Sequence, residues 1–223
     1  VNLTVFKYSL RRGFLSPFSL IANCLLPVLA VIFLDDGFYI LATSFMFGAF
    51  FMARGIQRDK IDGVVIRILA GPVTMRDYLV QNFFAAMIPM IGIIAIVCTL
   101  GVVIRGWGLL LAIPLALCYA LLAATFVGLS FVWSCLFKDK ESSVAVFTVL
   151  AMTAASIGGL TLPLEMLPTA IFYLGVLFPS HWAARAIGIL LNYGITPMYW
   201  VCLLALILFA AAYLLYGGKR RII

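Results

Sequence analysis

Long apolar runs separated by short charged or glycine-containing turns restrict this chain more than any other feature. A helix rises about 1.5 Å per residue and a hydrocarbon core is about 30 Å thick, so runs of about 20 apolar residues are of spanning length. Such runs lie at about Pro17 to Leu34, Phe38 to Ala53, Leu79 to Ile104, Leu109 to Phe137, Ser143 to Thr161 and Met198 to Tyr216. With 65% hydrophobic and 10% charged residues and a mean hydropathy of +1.20, the chain lacks the charged surface a soluble domain needs. The expected fold class is an all-α membrane protein with six transmembrane helices in one domain over residues 1–223.

Residues 1–16 alternate Val1, Leu3, Val5, Phe6, Leu10 and Phe14 with Lys7, Arg11 and Arg12, which suits a helix lying among headgroups. The run after it is too long for a signal-peptide core and no small-residue cleavage site precedes Asp35, so it reads as a retained first span. Asp35, Asp36 and Gly37 form the next turn; Arg105, Gly106, Trp107 and Gly108 form another, with its tryptophan suited to the interface. Along the fourth run Ala112, Ala116, Ala120, Ala124 and Gly128 recur every four residues, either as a ridge for close helix approach or as chance in an alanine-rich span.

The net charge of +7 invites a nucleic-acid reading. The bases, however, gather at the ends of apolar runs and make no groove-lining patch interleaved with aromatics. With six spans and a cytoplasmic N-terminus, Lys7, Arg11, Arg12, Arg54, Arg58, Lys60, Arg67, Arg76, Lys138, Lys140, Lys219, Arg220 and Arg221 lie inside. Only Arg105 and Arg185 lie outside, as the positive-inside rule asks. The five cysteines all sit inside apolar segments with no paired spacing, so they read as small packing residues and not as a metal or disulfide framework.

The longest charged stretch runs from Arg54 to Asn82. Ile61, Val64, Val65, Ile68 and Leu69 share one face at helical spacing, while Asp59, Lys60, Asp62 and Arg67 fall elsewhere, which predicts a short amphipathic helix. Ile66 falls on the opposite face, among Asp59, Asp62 and Gly63. Gly71 and Pro72 stop the helix, and Thr74 with Asp77 predicts a capping box for the next. A solvated membrane-surface loop would have the same composition; the order of the residues says more. Asp59, Lys60, Gly63, Leu69, Pro72, Val73, Thr74, Asp77, Tyr78 and Leu79 resemble the segment between the second and third spans of ABC-2 type transporter permeases. Val64 stands where threonine is usual there, Ile66 where an acid is common and Asn82 where a base is common. The resemblance implies a cytoplasmic coupling helix that docks on a separate ATP-hydrolysing subunit through Asp59, Lys60, Asp62, Gly63, Ile66, Arg67 and Pro72, joined by the turn Lys138, Asp139, Lys140 and Glu141.

Between the last two spans Pro163, Pro168, Pro179 and Pro197 divide an apolar stretch into helical pieces of about eleven and twelve residues, each about 17 Å long and too short to cross. Both are expected to dip in and return, with Ser180 a candidate cap for the second. A seventh span here would export the basic C-terminus. Gly159, Leu160, Pro163 to Pro168, Phe178, Pro179 and Ala183 to Ala186 resemble the same family's pattern before its last span. That implies re-entrant helices at an outer gate, here Pro163, Glu165, Pro168, Pro179, His181 and Arg185.

No catalytic constellation stands out. His181 is the single histidine and is expected to pack or cap at the exterior; no phosphate-binding glycine loop occurs, and the spans hold almost no ionisable group for a proton-driven cycle. Energy is therefore expected from a partner ATPase carrying ATP and Mg, with no cofactor and no metal in this chain. The resemblance implies an exporter permease of a bacterial or archaeal plasma membrane, both termini cytoplasmic, working as a homo- or heterodimer with two ATPase copies. Apolar spans and short exterior loops suit an amphiphilic cargo such as a drug, a peptide or a lipid-like molecule. A polysaccharide or teichoic-acid exporter, a lipid-modifying membrane enzyme and a non-transporting assembly or immunity subunit are the alternatives. Asn23, Thr43, Thr148 and Ser156 are candidates to line the path or to bond helices together. The charge asymmetry predicts that single cysteines replacing Lys140 and Arg221 in a cysteine-free background resist impermeant thiol reagents in intact cells, whereas one replacing Arg105 reacts. Labelling of Arg221→Cys from outside would rule out the six-span order.

Overall fold

A computed structural model describes residues 4–14, 21–34, 37–53, 55–71, 74–137, 139–162, 164 and 168–219. Asp35, Asp36, Arg54, Pro72, Val73, Lys138, Pro163, Glu165 and Arg221, all invoked above, lie outside the described residues, and of Leu69, Arg76 and Lys140 only the backbone is described. The described residues form helices and turns with no strand. In order these are α1 (Thr4–Phe14), a π-helical turn (Ile21–Leu25) running into α2 (Leu26–Phe33), α3 (Phe38–Ala53), α4 (Gly55–Ile61), α5 (Val64–Leu69), α6 (Met75–Arg105), α7 (Leu109–Leu136), α8 (Lys140–Ile157), α9 (Thr169–Gly175), α10 (Pro179–Tyr193) and α11 (Pro197–Lys219).

Among the described residues, four helical stretches are long and apolar enough to cross a bilayer: Phe38–Ile61, Asp77–Arg105, Leu109–Ser134 and Pro197–Gly217. The bent pair α9–α10 would make a fifth if counted as one. The expected first and fifth spans are instead the shorter apolar helices Asn23–Phe33 and Glu141–Ile157. Local chemistry explains both. Pro27, in the first turn of α2, contributes no amide donor, and the preceding turn is wound as a π-helix. In α8, Asp139 caps the Ser142 amide at 2.8 Å, so the charged turn becomes the first turn of the helix. Gly158, with Gly159 at φ +87°, ends α8 short of Thr161.

Interhelical hydrogen bonds give the chain direction. The Tyr199 hydroxyl donates to the Pro114 carbonyl at 2.7 Å, Thr125 to the Leu206 carbonyl at 3.2 Å, and Gly217 lies against Phe131, so α7 and α11 run side by side in the same sense. Tyr119 donates to the Phe38 carbonyl at 2.8 Å, tying α7 to the start of α3. Arg105 donates to the Val31 and Ile32 carbonyls at 2.7 and 2.8 Å, holding the end of α6 on the end of α2 and satisfying carbonyls that a helix terminus leaves open. Ser180 donates to the Ala154 carbonyl at 2.7 Å, fastening α10 to the last turn of α8. Since α8 ends and α11 begins at the same end of the bundle, α9 and α10 leave from that end and return to it, 105° apart.

The core is aromatic and densely packed. Phe45, Phe50, Phe131, Phe147, Tyr78, Tyr119 and Tyr199 are almost wholly buried. On α8 only one stripe is covered, Ser143, Phe147, Ala151, Ala154 and Ala155, at the period of one helical face. Trp107 packs on Phe38 with ring centroids 4.8 Å apart and lies over Gly101, so the indole serves the bundle as well as its rim. Of the small-residue ridge on α7, Gly128 faces α11: a methyl there would meet Tyr213 Cβ at 3.3 Å and the Ala210 carbonyl at 3.4 Å. Replacing Gly128 with leucine should therefore part α7 from α11 and lower detergent stability by about 1 to 3 kcal/mol, with Gly128→Ala close to wild type. Unchanged thermal unfolding of Gly128→Leu would show that the ridge carries no packing.

Candidate functional site

The Arg54–Asn82 stretch is helical but broken. Gly63 takes φ +68°, a conformation glycine reaches without steric cost, and ends α4 by bonding its amide to the Lys60 carbonyl at 3.2 Å. Arg67 donates from α5 back to the Asp62 carbonyl at 3.0 Å. The break resets the helical phase, so one continuous amphipathic face does not form. Ile61, expected against the bundle, is 41% exposed, and Asp59, expected on the outer face, is 1% exposed. Beyond the break the expected phase holds: Val65 is buried, Ile68 packs on the core, and Ile66 is 58% exposed.

Asp59 is buried because it has a partner in place. The Tyr78 hydroxyl donates to its carboxylate at 2.8 Å. The predicted capping box positions Tyr78: Thr74 accepts from the Asp77 amide at 3.2 Å, and the two side chains bond at 2.6 Å. The start of α6 thus grips α4.

A second set of bonds joins α4 to the α7–α8 junction. The buried Gln57 amide donates to the Asp139 carbonyl at 3.3 Å and accepts from the Ser143 hydroxyl at 3.0 Å. Trp133 in turn donates to Ser143 at 3.1 Å, and Lys60 donates to the Ser134 carbonyl at 3.2 Å. Just inside, Phe147 stacks on Phe50 at 3.3 Å and meets Trp133 edge-on at 5.6 Å, so α3, α7 and α8 converge there. Two turns far apart in sequence therefore form one surface, with Arg58, Asp62, Ile66, Arg67, Asp139 and Glu141 exposed on it. Beside it α1 packs where Ser9 meets Met52, Ala53 and Asn82, leaving Lys7 and Arg11 outward. Nothing in the sequence pattern singled out Gln57, Ser134 or Ser143; a lone amide or hydroxyl beside charges carries no periodic signal.

The other end of α3 and α8 meets the bent pair. Pro168 is exposed and precedes α9, and Pro179 is the buried first residue of α10. The helical pieces have 7 and 15 residues, not eleven and twelve, because α10 continues to Tyr193 and is closed by Gly194. Ser180 is no cap, since Phe178 holds that position and the serine bonds α8 instead. Of the packing and capping roles expected for it, His181 packs: it is fully buried, edge-on to Phe172 at 5.0 Å, and both ring nitrogens lack a hydrogen-bond partner among the described residues. Gly158 and Gly175 make room for that burial, since a methyl at either would strike His181 or the end of α8. Between α3, the turn after α8 and α10 lies a cavity of about 610 Å³ lined by Tyr39, Leu160, Leu164, Arg185, Ile189 and Asn192, among others.

The four path candidates are not brought to that cavity. Asn23 is buried against Gly48 of α3. Thr43 and Thr148 donate to carbonyls of their own helices at 3.0 and 2.8 Å, and Ser156 accepts from Thr161 at 2.9 Å. Cys98, Cys118 and Cys202 are free and buried, as packing residues are.

A family model described as an ABC-2 family transporter protein matches residues 29–218. No curated protein matches the chain.

The Asp59–Tyr78 bond ties α4 to the start of α6. Tyr78→Phe removes its donor and should cost about 1 to 3 kcal/mol, seen as a lower midpoint of thermal unfolding in detergent. Wild-type stability of Tyr78→Phe would mean the phenol serves only as packing.

Proposed function

The chain belongs to the ABC-2 transporter family as an integral membrane transport permease, and from that premise we propose that it is the membrane subunit of an ATP-driven exporter of amphiphilic molecules. Separate ATPase subunits, carrying ATP and Mg, dock on the surface formed by α4, α5 and the start of α8. The observation that carries this reading is Gln57, which holds Asp139 and Ser143 together with the coupling stretch, so that a push on one turn is delivered to both. From there α3 and α8 lead to the hairpin at the far end. In this reading α2, α3, α6, α7, α8 and α11 make six crossings, α9 and α10 form a re-entrant pair at the outer mouth, both termini are cytoplasmic, and two permease copies, identical or not, share a plasma-membrane path.

Among the described side chains of the α4–α5 stretch, Ile66 is the most exposed apolar one, and it inserts into an apolar pocket of the ATPase. Burying an isoleucine contributes about 1.5 to 3 kcal/mol, roughly ten- to hundredfold in affinity. Ile66→Asp should lose copurification of the ATPase and uncouple hydrolysis from transport while leaving the permease's unfolding temperature unchanged. Ile68→Asp, which points into the core, should lower that temperature. Full ATPase retention and coupled transport in Ile66→Asp would refute the docking surface.

A further inference from the structure

Arg185 lies on α10, half-buried at the wall of the cavity between α3 and the hairpin, and no described carboxylate or carbonyl meets its guanidinium. A half-buried cation is costly without a partner, whereas Arg105 at the same end of the bundle has two carbonyls. The rest of the cavity has the composition of an amphiphile site. Leu160, Leu164 and Ile189 supply apolar lining, while Tyr39, whose hydroxyl lies by Gly188, and Asn192, whose amide donates to the Gly188 carbonyl at 2.9 Å, supply polar lining. At about 610 Å³ it is too large for a lone ion and suits a headgroup with the first part of its chains. Guanidinium groups pair with phosphate oxygens through two parallel hydrogen bonds, a geometry an ammonium lacks.

We propose that this cavity binds the phosphate-bearing headgroup of an anionic amphiphile, with Arg185 as its counter-ion. The inference deepens the exporter reading, on which the site's role in transport rests; the binding itself requires no ATPase.

The test measures binding of dye-labelled short-chain phosphatidylglycerol to the purified full-length chain in detergent, with phosphatidylcholine of the same tails and inorganic phosphate as the other arms. Phosphatidylglycerol should bind in preference to phosphatidylcholine, resist displacement by millimolar phosphate, and weaken by about tenfold or more in Arg185→Gln, with Arg185→Lys intermediate. Leu162→Trp, at the exposed mouth of the cavity, should weaken binding without touching the cation, and supplies the result if Arg185→Gln does not fold. Equal binding of both lipids, full displacement by inorganic phosphate, or wild-type affinity in a folded Arg185→Gln or in Leu162→Trp would each overturn the proposal. Lost lipid selectivity with intact ATPase copurification counts against the cavity alone. Intact lipid binding without ATPase copurification counts against the exporter reading alone.

Discussion

Lipid offers no hydrogen bonds, so the backbone groups within this bundle must find their partners in the protein. Helices satisfy most of the demand, and the side chains that finish it fix how the helices sit. Tyr199 on the Pro114 carbonyl, Tyr119 on the Phe38 carbonyl and Thr125 on the Leu206 carbonyl each join two helices at one height. Such bonds are worth about 0.6 kcal/mol apiece on average in membrane proteins, so they act by setting register, while the packing of Phe45, Phe50 and Phe131 provides the cohesion. The same demand explains the ends. Arg105 covers the open carbonyls of α2, and Ser180 reaches the last turn of α8.

Two regions with different chemistry result, at opposite ends of α3 and α8. At one, charge is held in fixed places: the Asp59 carboxylate by Tyr78, the Lys60 ammonium by the Ser134 carbonyl, and the Gln57 amide between two turns. At the other, glycines bring α9 and α10 close against the end of α8, and a cavity remains beside them. α8 has few large buried residues besides Phe147, and the remainder of its covered stripe is alanine and serine.

Much of this was legible beforehand. Hydropathy located α3, α6, α7 and α11 to within a few residues, because a twenty-residue apolar run has few alternatives to a helix. The Thr74–Asp77 box was visible as a pattern and is present as bonds. The outward position of Ile66 followed from helical phase, and holds because α5 is regular on both sides of it. Phase reasoning failed three residues before that helix, at Ile61, since a single glycine at positive φ breaks the periodicity on which it rests.

Sequence alone therefore determined what depends on local composition: a helical membrane protein, its long spans, the Thr74 cap, and a family likeness carried by short ordered motifs. Tertiary structure decided what depends on pairs of residues distant in the chain. Asp59 looked like an exposed charge and is buried because Tyr78 stands opposite it. His181 was open to packing or capping and is enclosed because Gly158 and Gly175 admit it. Gln57 carried no pattern, yet it joins two turns 82 residues apart. For Asp59 and Gln57 the physical reason is the same: burying a polar group is favourable only when its partner is supplied, and for His181 it is the space that other residues leave; both come from parts of the chain whose positions no local periodicity encodes.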